Sequence, residues 1–165
     1  MKICIAYSSR TGNTRRMAEG LAQELRELGP VLVDLNALPA GAALPEAEVY
    51  LIGYWVRRGA PDVTAARFIQ SLRNARAGLF GTLGAYPYSA HGRRAAQAAE
   101  ALLSDTCEHL GTFQCQGALA EDVLRRSRAR KGEPSEETKR RHRIAAGHPN
   151  AEDWHFAAGL FRERF

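Results

Sequence analysis

Lys2-Ile3-Cys4-Ile5-Ala6-Tyr7-Ser8-Ser9-Arg10-Thr11-Gly12-Asn13-Thr14 joins an apolar run of strand length, Ile3 to Tyr7, to a loop of hydroxyl, amide and glycine residues. A helical pattern begins at once, with Met17, Ala18, Leu21, Leu25 and Leu28 three or four residues apart. A strand that feeds a helix through such a loop is a ready anion site. Backbone N–H groups at a helix start lack intrahelical acceptors, and the helix dipole favours negative charge there. Ser9, Thr11 and Thr14 add hydroxyl donors, and Gly12 lets the backbone turn or approach closely.

The Walker loop needs a Lys directly after its last Gly, where this chain has Asn13. The dinucleotide fingerprint needs three glycines at fixed spacing, and this loop holds only Gly12. A terminal phosphomonoester has three free oxygens and can use many hydroxyl donors, so the loop suits a mononucleotide. A plain helix cap with a tight turn is the competing reading, but a cap needs one such residue and not four.

The elements alternate along the chain. Strands are expected at Ile3–Tyr7, Val31–Leu35, Glu48–Tyr54, Ala77–Thr82 and Thr112–Gln116. Helices are expected at Asn13–Leu28, at Asp62–Arg73 after Pro61, and at Ser89–Ser104 behind a Ser89 cap. The Asn36–Pro45 stretch, rich in Ala, Pro and Gly, reads as loop. Alternation of this kind predicts an α/β fold, a three-layer α/β/α sandwich around a parallel sheet. With a mononucleotide loop after the first strand, the expected sheet is five-stranded in the order 2-1-3-4-5. The ligand then lies at the carboxyl ends of the strands, where the order reverses.

That rule points to two further loops. After strand three come Tyr54, Trp55, Val56 and, further on, Gly59. After strand four come Thr82, Leu83, Gly84, Ala85 and Tyr86. Aromatic residues there would offer stacking faces, and the glycines would let backbone approach a flat ring. Aromatics that merely pack their loops on the domain are the plain alternative.

Ser9–Thr14 resembles the phosphate loop of the flavodoxin family, and the likeness covers about residues 1–120. It implies FMN as cofactor. The phosphate would be held by Ser9, Arg10, Thr11, Gly12, Asn13 and Thr14, and the ring flanked by the two later loops. Trp55 and Tyr86 carry the stacking role, with Tyr54 as the lesser candidate. Gly53-Tyr54-Trp55-Val56 with Gly59, Phe80–Pro87 and His148-Pro149-Asn150 is similar to the small bacterial flavodoxin-like proteins of the BilS type, some of which are linked to bilirubin reduction.

A chain of 165 residues with 45% apolar residues fits one domain, expected as a core over about 1–120 and a basic helical extension over about 121–165. No apolar run reaches membrane length, and the chain leads straight into a strand without a signal-peptide pattern, so the cytoplasm is the expected compartment. The three cysteines lack metal or disulfide spacing; Cys4 and Cys115 fall in strands and Cys107 in a helical pattern. The histidines are too loosely spaced for a metal site, and His91 is a minor candidate for partner contact.

Electron-carrier flavodoxins are typically acidic, whereas this chain has a net charge of +5. Nine Lys or Arg and three Glu lie between Arg125 and Arg143. The run contains no aromatics and matches no nucleic-acid module, which reads against nucleic acid and leaves a solvated face or a docking surface for an acidic redox partner. Asn150 and Asp153 announce a last helix with Trp154, Ala157, Ala158 and Phe161 as its packing stripe. The preferred function is an electron carrier between a reductase and a redox partner, with no catalytic residue of its own. The alternative is an NAD(P)H-dependent FMN or quinone reductase, and a flavin-free interaction module is the third class.

Overall fold

The computed structural model describes residues 1–39 and 41–165; Ala40, inside the expected 36–45 loop, lies outside the described residues. β1 (Ile3–Tyr7), β2 (Val31–Asp34), β3 (Val49–Arg57), β5 (Arg76–Leu83) and β6 (Glu108–Gln116) form a parallel sheet in the order β2-β1-β3-β5-β6. The expected doubly wound order is present, with one addition. Two-residue β4 (Ala60–Pro61) folds back antiparallel on the end of β3. Arg58 and Gly59 between them both have positive φ, 53° and 80°, which suits a two-residue hairpin turn. β3 therefore runs to Arg57 and does not end at Tyr54.

The sheet is covered on both faces. On one, α1 (Asn13–Glu24) and α6 (Ala151–Arg162) bury Met17, Leu21, Ala157, Ala158 and Phe161 against Ile5, Leu51 and Phe80. On the other, α2 (Val63–Ser71) and α3 (Ala90–Glu100) bury Ala65, Ile69 and Ala99 against Ile52, Tyr54 and Leu79. Successive strand residues point to opposite faces, so Leu51 and Ile52 serve different layers. Gly20 on α1 makes room for Trp154 of α6: a Cβ added there would lie 2.3 Å from Trp154 Cδ2. The packing stripe read from Trp154 to Phe161 thus has its counterpart on α1.

The capping residues act as their types dictate. Asp62 accepts from the N–H groups of Thr64 and Ala65, Ser89 from Gly92 and Asn150 from Glu152. Asn150 N–H donates to Asp153 Oδ2 at 2.8 Å, which completes a capping box. α3 stops at Glu100, and Cys107 falls in a turn where its N–H donates to Ser104 O; the expected helical placement of Cys107 is corrected. All three cysteines are free thiols. The basic stretch forms α4 (Glu121–Lys131) and α5 (Glu136–Ala146), and α4 buries no residue. Among the described residues, no helix is long and apolar enough to cross a membrane, and no cluster of potential ligands could hold a metal ion.

Candidate functional site

The first helix starts without a side-chain cap. Gly12 occupies the N-cap position at φ 99°, a conformation natural only to glycine. Its own N–H donates to Ser9 Oγ at 3.2 Å, and Ser9 N–H donates to Asn36 Oδ1 at 2.9 Å. Among the described residues, nothing accepts from the N–H groups of Asn13, Thr14 or Arg15. Three backbone donors at the positive end of a helix dipole make a cradle for an anion.

The side chains of the loop divide into two kinds. Asn13 Nδ2 donates to Ala118 O at 2.9 Å, tying the loop to the segment after β6. Thr14 is buried, and its hydroxyl lies 2.9 Å from Thr82 Oγ1. Thr82 can donate in that pair, which leaves the Thr14 proton for a ligand. Thr11 is exposed and, among the described residues, its hydroxyl has no partner. The Thr82 hydroxyl is thus engaged at the helix start, and the residue also lines the cleft beside it.

A cleft of about 160 Å³ opens beside this cradle. Ser9, Arg10, Thr11, Asn13 and Thr14 line one side, and Trp55 and Val56 another. Thr82, Leu83 and Gly84 also line it. All of these lie at the carboxyl ends of β1, β3 and β5, where the sheet order reverses. The remaining wall, Gly117 to Ala120 with Val123, was absent from the sequence reading. It follows β6 and contributes backbone and small apolar groups. The topological rule that selected the other loops would have selected this one too.

Five expected residues stand apart from the cleft lining. Gly12 acts only through its backbone. Tyr54 is fully buried among the α2 and α3 contacts, and its hydroxyl accepts from Gln114 Nε2 at 3.0 Å. Burial also pushes its phenol pKa up. Tyr54 and Trp55 are neighbours in a strand, so they must face opposite layers; the ring-stacking expectation for Tyr54 is corrected. Gly59 sits at the β3–β4 turn against His91. Ala85 lies beyond the cleft. Tyr86 stacks on Tyr88 at 5.2 Å with an interplanar angle of 11°. Ser89 Oγ donates to Tyr86 O at 2.6 Å, which joins this loop to the start of α3.

Trp55 lines the cleft. The Arg10 guanidinium lies over its ring, 5.9 Å from the centroid, and also reaches Asp122 Oδ2 on α4 at 3.1 Å. Below them lies Asp62, a buried carboxylate that knits the site together. It accepts from Ser8 Oγ at 2.7 Å, from Trp55 N–H at 3.3 Å, and from the first turn of α2. One residue thus ties the start of the loop, the strand carrying Trp55 and the following helix.

A flavodoxin domain model matches residues 4–162. The chain is 32% identical over 124 residues to the flavodoxin-like domain-containing protein BilS of Clostridioides difficile, covering 74% of this chain and 70% of that protein. It is 34% identical over 142 residues to BilS of Clostridium symbiosum, covering 78% and 75%. Among solved structures, oxidised Flavodoxin 1 of Bacillus cereus superposes with a TM-score of 0.55 at 17% identity, over 91% of this chain and 100% of that one. Flavodoxin 2 of Bacillus cereus gives 0.55 at 18% identity, with both chains fully covered.

Proposed function

The chain belongs to the flavodoxin family, with BilS-type proteins among its relatives, and from that premise we propose that it binds FMN and carries electrons between a reductase and a redox partner protein. The observation that carries this reading is the glycine-capped start of α1, with three backbone N–H groups free of protein acceptors. They suit a phosphate, and the Thr11 hydroxyl and the Thr14 proton would complete the donor set. No free arginine is needed: Arg10, Arg15 and Arg16 reach Asp122, Glu19 and Asn13. Trp55 would give the ring an apolar face, and Arg10 would leave that face when the ring arrives. Backbone groups of Thr82–Gly84 and Gly117–Ala120 would bound the ring edge. FMN, when bound, supplies the redox chemistry; the chain orients it and limits its contact with water.

The test is anaerobic. The purified protein is reconstituted with FMN and mixed with NADH or NADPH alone. A carrier keeps its oxidised flavin colour until a separate reductase is added. Rapid bleaching by the nicotinamide alone would overturn the carrier reading in favour of a reductase.

A further inference from the structure

A dense run of positive charge lies on the α4–α5 hairpin. Of the nine cations from Arg125 to Arg143, Arg126 pairs with Asp122 and Lys139 with Glu136. Among the described residues, the other seven have no carboxylate within ion-pair distance. They are also not merely spread over a solvated surface. Between the two helices lies a cleft of about 540 Å³ lined by Arg128, Lys131, Lys139, Arg141, Arg143 and His142, with Glu133 as its one carboxylate among the described residues. Burial first, then Arg141 and Arg128, hold the His142 pKa below its ordinary value. Gathering like charges around a concavity is unfavourable for the isolated chain. An opposite charge seated there would relieve it.

The position of α4 says what that charge is for. Its first turn, with Val123, walls the cofactor cleft, and Asp122 holds Arg10 over Trp55. Leu124, Ser127, Arg128 and Lys131 on the same helix line the basic cleft. A molecule bound between α4 and α5 therefore rests on the helix that closes the cofactor site.

We infer that the α4–α5 hairpin is the docking surface for an acidic partner protein, which inserts carboxylate side chains into the basic cleft and comes to lie beside the cofactor site. This rests on the electron-carrier reading, because a carrier needs a partner close to its cofactor. A protein is favoured over nucleic acid on three grounds. The charges line a pocket and not a stripe. The hairpin carries no Phe, Tyr or Trp on which a base could stack. Glu133, Glu136 and Glu137 interrupt the track a phosphate backbone would follow. Charge complementarity of this kind steers encounter and fixes orientation.

The experiment uses the FMN-loaded protein and a fluorescently labelled oligoglutamate peptide, with labelled duplex DNA as the competing probe, at low and at high salt. Arg128→Glu with Arg141→Glu should weaken peptide binding about tenfold or more at low salt, and less at high salt. Arg128→Gln with Arg141→Gln should lose part of the binding. The control pair Arg26→Glu with Arg94→Glu carries the same change in net charge away from the hairpin and should lose no more than about threefold. FMN affinity should be the same in all of them. Equal losses in hairpin and control variants would overturn the proposal, since binding would then report net charge alone. Duplex DNA bound more tightly than peptide would overturn it in favour of nucleic acid. A protein that takes up no FMN would sink the carrier reading, and the peptide comparison would still decide whether the surface recognises acidic protein.

Discussion

Replacing Asp62 should damage fold and site together. Its carboxylate is 3% exposed and accepts four hydrogen bonds: from Ser8 Oγ at 2.7 Å, from Trp55 N–H at 3.3 Å, and from Thr64 and Ala65 N–H at 3.1 and 3.2 Å. Asp62→Ala removes the α2 cap, at about 1 kcal/mol. It also removes the acceptor of Ser8, which is fully buried, and the loss of a hydrogen bond to a charged group costs ~1.5–3 kcal/mol. The Trp55 contact is long and adds little. The sum is ~2.5–4 kcal/mol, or roughly a 5–16 °C drop in Tm for a chain of this size. Asp62→Asn keeps the shape and one acceptor oxygen. Its amide N–H₂ would, however, face the Trp55 N–H, donor against donor, or else Ser8 and the helix start. A loss of ~1–2 kcal/mol is expected. Urea unfolding of the FMN-free protein measures both, with FMN affinity as a second readout, since Ser8 leads into the loop proposed to hold the phosphate and Trp55 lines the cleft. Asp62→Ala within about 0.5 kcal/mol of the wild type would refute the claim that this carboxylate joins three elements.

Trp55→Ala should lower FMN affinity by ~1 kcal/mol and restore part of the flavin emission that stacking quenches, as a fluorescence titration would show. Gly20→Ala should destabilise by ~1–3 kcal/mol in a thermal melt, because its Cβ would lie 2.3 Å from Trp154 Cδ2 and the two helices would have to part. A disulfide reagent should modify only Cys107 in the native protein and all three thiols after denaturation, since Cys4 and Cys115 are buried. Burial pushes the Cys4 thiol up to about 11 from 9.0, so the folded state holds that proton more tightly than the unfolded chain. Its contribution is complete below pH 9.0 and is lost as pH rises towards 11, so unfolding monitored against pH should show an alkaline decline that Cys4→Ala reduces.

The features legible in the sequence were those encoded locally. The glycine turn before α1 and the Ser89 and Asn150 caps each lie within a few residues of their partners, and the α6 stripe is a local periodicity. Tyr54 was misplaced because β3 is buried on both faces and shows no alternation, so nothing local says which of Tyr54 and Trp55 turns inward. The extension of β3 past Tyr54 depends on a two-residue turn, Arg58-Gly59, that lacks the usual Asn-Gly signature. Asp62 reads from sequence only as a helix cap; its bond to Ser8 spans 54 residues and exists only once β1 and β3 are paired. Residues 117–120 carry no side-chain chemistry, and Tyr86 found a local partner in Tyr88 that composition did not announce.

The central claim is that the start of α1 holds a phosphomonoester. Calorimetric titration of the FMN-free protein with FMN and, separately, with riboflavin tests it most directly, because the two ligands share the ring and differ in the phosphate. Charge-assisted bonds to the Asn13, Thr14 and Arg15 N–H groups should make FMN tighter by on the order of a hundredfold or more. Thr11→Val should narrow that gap and leave riboflavin unaffected. Equal affinity for the two ligands would contradict the account.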